Sequence, residues 1–316
     1  MDMLSDVVAL MRIGRPVSAR VTWRAPWGVA IPPQPGSAAF QVVLRGSCWL
    51  IPPSGEPMAL SVGDVVFLPH GHGYALADSL DTPLTEQAGE PCEGGALSSL
   101  TACGGTGAET VTVYGSYRTI PARAHPIFGA LPEVIHLPTT LGRHPELRAT
   151  VELLGNEIAT PRPGGGTVVT SLLDMLQLLI LRAWFETSPG VCDHKGWALA
   201  LADPSISKAL DAVHNDPAHR WTVGELAGRA GLSRAGFARR FTELVGQPPL
   251  TYLTWWRMGV AARLLREDHV PVSEVAARVG YGSEFAFNNA FKREFGIAPG
   301  RYQRQACAEN KAALDG

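Results

Sequence analysis

What this 316-residue sequence lacks removes several classes of function in turn. The apolar stretch Leu176 to Leu181, interrupted by Gln177, falls far short of the roughly 20 residues that a membrane-spanning helix needs. Met1 to Arg15 carries Asp2 and Asp6 and no long apolar core, so no secretory signal and no membrane association are expected, and the expected compartment is the cytoplasm. Cysteine is scarce: Cys48, Cys92, Cys103, Cys192 and Cys307 are odd in number and contain no Cys-x-x-Cys pair, which argues against a zinc ribbon or finger. In a reducing compartment these thiols are expected to be free. No Ser-His-Asp arrangement, phosphate-binding loop or dinucleotide fingerprint is present. Gly164-Gly165-Gly166 follows Pro161 and Pro163 but no Lys-Ser/Thr comes after it, so it reads as a turn between helices. His125 and His136 have no partner pattern and are read as structural. Charge is also sparse and nearly balanced, 27 Lys and Arg against 29 Asp and Glu, and taken as an average that balance argues against a nucleic-acid binder.

What is present is enough apolar material, 46% of residues, for a large core, in a chain whose length suggests two domains. Residues 1 to about 120 alternate short β-branched runs with Gly and Pro punctuation. Val17–Trp23, Ala39–Leu44, Ser47–Ile51, Val65–Leu68 and Thr110–Tyr117 read as strands, and many short strands at this spacing predict a small barrel or jelly roll. Ala88 to Gly107 is rich in Gly, Ser and Cys and reads as a long loop. From His144 the period changes: Leu147, Val151, Leu154 and Ile158 share one helical face. Thr167–Glu186 is apolar almost all round, so it should be buried on more than one side, by its own domain or by a second subunit. Thr187 to Ala202, with Pro189, Gly190 and Gly196, reads as a linker, and everything from Pro204 onward reads as helices with short turns.

The strongest signal lies between Trp221 and Gln305. In WTVGELAGRAGLSRAGFARRFTELVG, Val223–Ala230 is a first helix, Gly231 the turn and Ser233 an N-cap for a second helix. That helix exposes Arg234, Arg239 and Arg240 and points Phe237 and Phe241 inward. Fifty residues after Ser233 the pattern recurs in VPVSEVAARVGYGSEFAFNNAFKREFG. Val272–Val279 is the first helix there, Gly280 the turn, Ser283 the cap, Phe287 and Phe291 the inward pair, and Lys292 and Arg293 lie outside. Two such units joined by a long helix, Leu250–Glu267, can enter successive major grooves roughly 34 Å apart.

This paired pattern resembles the AraC/XylS family of transcription regulators over about residues 203 to 305. The A-x-x-x-G-L-S turn, GYGSE, the F-x-x-x-F-K core and the G-x-x-P-x-x-Y close carry the resemblance. It implies sequence-specific binding to double-stranded promoter DNA and, for most of the family, activation through contact with RNA polymerase. By position, the groove-facing residues of the first recognition helix would be Arg234, Ala235, Ala238 and Arg239. Those of the second would be Ser283, Glu284, Phe285, Asn288 and Asn289, with Lys292 nearby. A basic residue is common in the family where Asn289 stands, so the second helix should rely less on phosphate or guanine and more on adenine, while Arg239 is the expected guanine reader.

Residues 5 to about 118, with RAPWGV, FQVVLRGSCWL and GDVVFLPHGHGY, resemble the cupin-type sensor domain of one AraC subfamily. Cupin enzymes place two His and a Glu on an earlier strand and a His after the Pro-x-Gly turn. Here Gln41 stands on that strand and Tyr74 at the later His position, leaving His70 and His72 as the obvious ligands. A transition-metal site needs about three converging ligands, so no metal or cofactor and no catalytic residue is expected. A metal-dependent cupin enzyme fused to a DNA-binding module is the alternative. The domain is read as a sensor of one of two inputs. One is a small effector in the barrel mouth, with Gln41, Cys48, His70, His72 and Tyr74 as pocket candidates. The other is an oxidant acting on Cys92 and Cys103 in the Gly-rich loop, where the sulfurs can come into disulfide range. Glu90 and Glu93 flank Cys92 and would raise its pKa, which counts against fast thiolate chemistry. Against that, the resemblance extends to regulators that respond to reactive chlorine or electrophiles through cysteines.

The expected architecture is therefore α+β in two domains. A cupin-like β-barrel sensor occupies 1–143, a helical dimerisation element 144–187, a linker 188–203 and an all-α double helix-turn-helix reader 204–305, in a homodimer. The net charge of −2 then divides usefully. Residues 220–304 hold 13 Lys and Arg against 7 Asp and Glu, net +6, and residues 1–219 hold 13 against 20, net −7. A basic reader paired with an acidic sensor should bind non-specific DNA only modestly at low salt.

Overall fold

The structure is a computed structural model that describes residues 3–86, 98–119, 126–129, 131–138, 144–160, 162–187, 196–267 and 270–315. It divides into two compact units that do not follow chain order. One comprises residues 12–121 and 131–187, the other residues 1–11, 122–130 and 188–316.

The first unit is built from two sheets. The six-stranded sheet contains β1 (Arg12–Arg24), β3 (Ser37–Arg45), β6 (Val65–Leu68), β9 (Ser98–Gly104), β10 (Glu109–Thr119) and β11 (Ile135–Leu137), in the order β11-β6-β3-β10-β1-β9. The five-stranded sheet contains β2 (Gly28–Ile31), β4 (Cys48–Ile51), β5 (Met58–Leu60), β7 (Tyr74–Ala77) and β8 (Thr85–Glu86), in the order β5-β4-β7-β2-β8. The expected barrel is thus corrected to two open sheets. Alternating short strands look the same in either architecture, and closure depends on strand order, which alternation does not encode. A second correction concerns the expected loop at 88–107. Its last part forms β9, an edge strand parallel to β1, with Leu100 beside Val21.

Val43, Val66 and Leu68 from the larger sheet meet Val29, Leu50, Leu60 and Leu76 from the smaller in one buried cluster. The other face of the larger sheet, with Phe40, Val42 and Phe67 fully buried, lies under α3 (Pro145–Ala159) and α4 (Gly165–Thr187). Burial on both faces is why AAFQVVL and VVFL read as nearly continuous apolar runs. Bulk is limited beside Phe40: a Cβ on Gly115, its partner across the β3–β10 ladder, would sit 2.2 Å from the ring. The Tyr117 hydroxyl donates to the carbonyl of Leu173 on α4. By length and composition α4 could cross a membrane, more than its short apolar runs suggest, yet half of that window is buried in the fold. Leu153, Val168 and Met175 remain exposed on the α3–α4 pair.

The second unit is helical. Within the stretch read as a linker, α5 (Trp197–Ala202) packs on α6 (Pro204–Asn215) and α8 (Arg234–Val245). The N-terminal helix α1 (Met3–Met11) also belongs here, burying Val7 and Val8 against α6 and α9 (Pro249–Glu267). A lone Val-Val pair in nine residues is too short a pattern to announce that destination from sequence. The remaining helices are α7 (Val223–Ala230), α10 (Val272–Arg278), α11 (Glu284–Phe295) and α12 (Pro299–Asp315), besides the short α2 (Pro126–Gly129).

Candidate nucleic-acid interface

Helix α7 starts with a reciprocal cap. The Thr222 hydroxyl accepts from the Glu225 N–H at 3.2 Å, and the Glu225 carboxylate accepts from the Thr222 N–H at 2.8 Å. The helix ends at Gly231, whose φ of 67° lies in the left-handed region, and the Leu232 N–H closes the turn on the Ala227 carbonyl at 3.0 Å. Ser233 then caps α8 through the N–H of Gly236 at 3.2 Å. The second unit repeats this closure: Gly280 has φ 80° and the Tyr281 N–H bonds the Ala276 carbonyl at 2.9 Å. Gly282 adds one residue to the turn before Ser283 caps α11 through the N–H of Ala286 at 3.1 Å.

Both recognition helices are anchored by the aromatic pairs the sequence predicts. Phe237 and Phe241 are fully buried under α8, Phe287 and Phe291 under α11. The opposite faces are open. On α8, Arg234, Ala235 and Arg239 are exposed and Ala238 is half-buried. The Arg239 side chain is 80% exposed and lies 3.9 Å from Glu243, a loose i,i+4 pair that leaves its guanidinium available. On α11, Ser283, Glu284, Asn289 and Lys292 are exposed, Asn288 is half-buried, and Phe285 is 77% exposed. The first turn of each helix also carries the positive end of the helix dipole.

Arg240 is exposed on α8 as expected, and it is also paired: its Nε and Nη2 donate to Asp203 Oδ2 at 2.6 and 2.5 Å. Asp203 is the N-cap of α6, its Oδ1 accepting from the N–H groups of Ser205 and Ile206 at 2.9 and 3.0 Å. Burial, the largest single influence, pushes this carboxyl up, but the bonds from Ile206, Arg240 and Ser205 together hold it below its usual value. Arg240 is thus a brace between α6 and α8.

Within the helical unit, one residue that links the two helix-turn-helix motifs is not marked by the sequence pattern. Arg257, on the connecting helix α9, donates from Nε to the Pro217 carbonyl at 2.7 Å and from Nη2 to the His219 carbonyl at 2.8 Å. Its guanidinium also lies 6.0 Å from the centre of the Tyr281 ring, in the turn of the second unit. No local motif marks such a residue, because its partners are 38 and 40 positions away. Nearby, His214 is buried with its ring stacked on Trp256 at 3.6 Å and its Nε2 hydrogen-bonded to the Tyr252 hydroxyl at 2.7 Å. Asp6 Oδ2 lies 3.7 Å from its Nδ1.

In the sheet-rich unit the pocket candidates separate into two groups. Gln41 Nε2 donates to the Tyr74 hydroxyl at 2.7 Å across the space between the sheets, and Gln41 Oε1 is buried with no hydrogen-bond partner among the described residues. Cys48 is a free thiol in the same core, its pKa raised to about 12 by burial and by Asp64, which disfavours the thiolate. His70 and His72 lie at the rim. His70 Nε2 donates to the Leu131 carbonyl at 3.0 Å, and His72 Nδ1 is 3.7 Å from Glu133. Among the described residues no three His, Cys, Asp or Glu side chains converge to hold a metal ion. Tyr74, in the position where cupin enzymes carry a His, is committed to Gln41, so these residues do not form a cupin ligand set. His136, read as structural, lies 3.4 Å from Asp64. Cys92 lies outside the described residues, and of Cys103 only the backbone, in β9, is described.

A cupin family model matches residues 2–186, and a helix-turn-helix domain model matches residues 226–305. An AraC-like transcription regulator of Streptomyces antibioticus is 34% identical over 310 residues, spanning 96% of this chain and 99% of its own length. The RCS-specific HTH-type transcriptional activator RclR of Escherichia coli strain K12 is 28% identical over 286 residues, spanning 90% of this chain and 89% of its own. Among solved structures, the DNA-binding domain of AdpA, in complex with a target DNA, is 36% identical. It covers 34% of this chain and 96% of that chain, with a TM-score of 0.32. The sheet-rich cupin-like domain and the helical reader define a DNA-binding transcription regulator. The chain belongs to the AraC family of such regulators.

Proposed function

We propose that the chain is a one-component regulator acting in the cytoplasm, in which the cupin-like domain senses a signal and the double helix-turn-helix binds promoter DNA to activate transcription through RNA polymerase. The observation that carries this reading is the pair of Ser-capped helices whose buried Phe pairs leave Arg234 and Arg239 exposed on one and Asn289 and Lys292 exposed on the other. In this reading Arg239 pairs with guanine, Asn288 and Asn289 with adenine, and Lys292 with phosphate. Ala235 and Ala238 allow close approach to the groove, and Ser233 and Ser283 orient the helix ends. The effector is a small molecule held between the sheets. Gln41 Oε1, a buried acceptor without a partner among the described residues, supports that site, because such an atom favours a ligand carrying a donor. A thiol route through Cys92 and Cys103 is the second input; C92S and C103S variants with a normal oxidant response in a reporter assay exclude it. The exposed Leu153, Val168 and Met175 on α3 and α4 support a homodimer through that face, which would place two readers on paired half-sites.

The experiment is quantitative binding of the full chain to its operator at fixed salt. Arg239→Ala is expected to cost about 1–3 kcal/mol and to relax preference at one base pair. Unchanged affinity together with unchanged preference contradicts the reading.

A further inference from the structure

Phe285 is the most exposed of the large hydrophobic side chains described, at 77%, against 56% for Leu153 and 54% for Val62. It occupies the second position of α11, immediately after Glu284 and two residues beyond the Ser283 cap, in the turn of a recognition helix that meets base edges. Asn288 and Asn289 follow it at i+3 and i+4 and so share its face. The matching position of α8 holds Ala235, so the folding of the motif does not call for an aromatic here. Nor does packing, since the core under α11 is filled by Phe287, Ala290 and Phe291.

An aromatic ring held in water beside two amides needs an apolar partner on the surface it meets. In the major groove one base carries such a group: the C5 methyl of thymine, which stands beside the adenine edge that Asn pairs with. We infer that Phe285 is a specificity-determining residue that reads a thymine methyl, so that α11 recognises an A·T-containing segment through apolar contact as well as through amide hydrogen bonds. This rests on the docking of α11 in the major groove proposed above.

The test uses the full-chain protein and a duplex it selects from a randomised pool. The segment bound by α11 is located by the loss of preference in an Asn289→Ala variant. Each thymine there is then replaced by uracil, which removes the methyl and nothing else. At one or two positions uracil is expected to weaken wild-type binding about fourfold, the value of one buried methyl. Phe285→Ala should bind the thymine and uracil duplexes equally, and Phe285→Leu should keep part of the discrimination. Because the ring is exposed, Phe285→Ala should unfold at the wild-type temperature, separating a readout effect from a folding one. Uracil tolerated throughout, or Phe285→Ala as methyl-sensitive as the wild type, overturns the inference. Wild-type DNA binding by Phe285→Ala combined with lost transcription by purified polymerase also overturns it, assigning the ring to a protein partner. Failure of the wild type to select any sequence overturns the docking reading itself, and the inference with it.

Discussion

In the first helix-turn-helix unit Phe237 and Phe241 are buried, Gly231 takes the left-handed turn and Ser233 caps the recognition helix; in the second, Phe287, Phe291, Gly280 and Ser283 do the same. Behind the helix the two units are nearly interchangeable. In front of it they share almost nothing: Arg234, Ala235, Ala238 and Arg239 on one side stand against Glu284, Phe285, Asn288 and Asn289 on the other. Packing allows few solutions, because a buried ring, a positive φ and a capped helix start each admit few residue types. The exposed face is free of those constraints, so its chemistry reports what the helix meets. In the function proposed above, this difference is one of readout, with guanine expected under α8 and A·T under α11.

The most severe break comes from the shared core. Phe241→Ala and Phe291→Ala should each destabilise the reader by about 3–5 kcal/mol, measured by denaturant unfolding of the full chain. A large loss in one and a small loss in the other would mean that the two cores are not equivalent. The turns should separate next. Gly231→Ala meets no atom of the described residues within 4 Å and should cost only the left-handed strain, about 1–2 kcal/mol. Gly280→Ala places a Cβ 2.4 Å from the Ala218 carbonyl oxygen and should cost about 1–3 kcal/mol more. Equal losses would show that the second turn yields where the structure has it wedged.

A pH series sharpens the contrast with a smaller effect. His214 sits beneath the first unit, whereas residues 270–316 contain no histidine. Burial, opposed by Asp6, lowers the His214 pKa below its ordinary value, so the unfolded chain takes up a proton that the folded one refuses. The stability this contributes is complete above pH ~6.5 and is lost as pH falls from there toward the folded value, with a slope of at most about 1.4 kcal/mol per pH unit. His214→Gln, which keeps a partner for Tyr252, should flatten that slope. A slope that persists in the variant assigns it to another group.

Much of this was legible in the sequence. The caps, turns, inward Phe pairs and the connecting helix were placed almost residue for residue, because each is set by interactions within a few positions. Helices α3 and α4 were found for the same reason. What escaped depends on contacts distant in sequence. The open sheets in place of a barrel follow from strand order, and β9 from pairing with β1, some 80 residues away. The bracing of Arg240 by Asp203, the role of Arg257 and the docking of α1 on α6 and α9 each join segments that no local pattern links. Phe285 was named as groove-facing, but its exposure, which gives it meaning, required the fold.

The central claim, that one scaffold is used twice with different readout, is tested most directly by exchanging a single exposed residue. Operator sequences selected from randomised duplexes by the wild type are compared with those selected by Asn289→Arg, which gives α11 the residue type α8 carries in Arg239. The account predicts that guanine replaces adenine at one position in the segment bound by α11, while the segment bound by α8, about one helical turn or roughly 34 Å away, is unchanged. A change under α8, or no change in either segment, would contradict it.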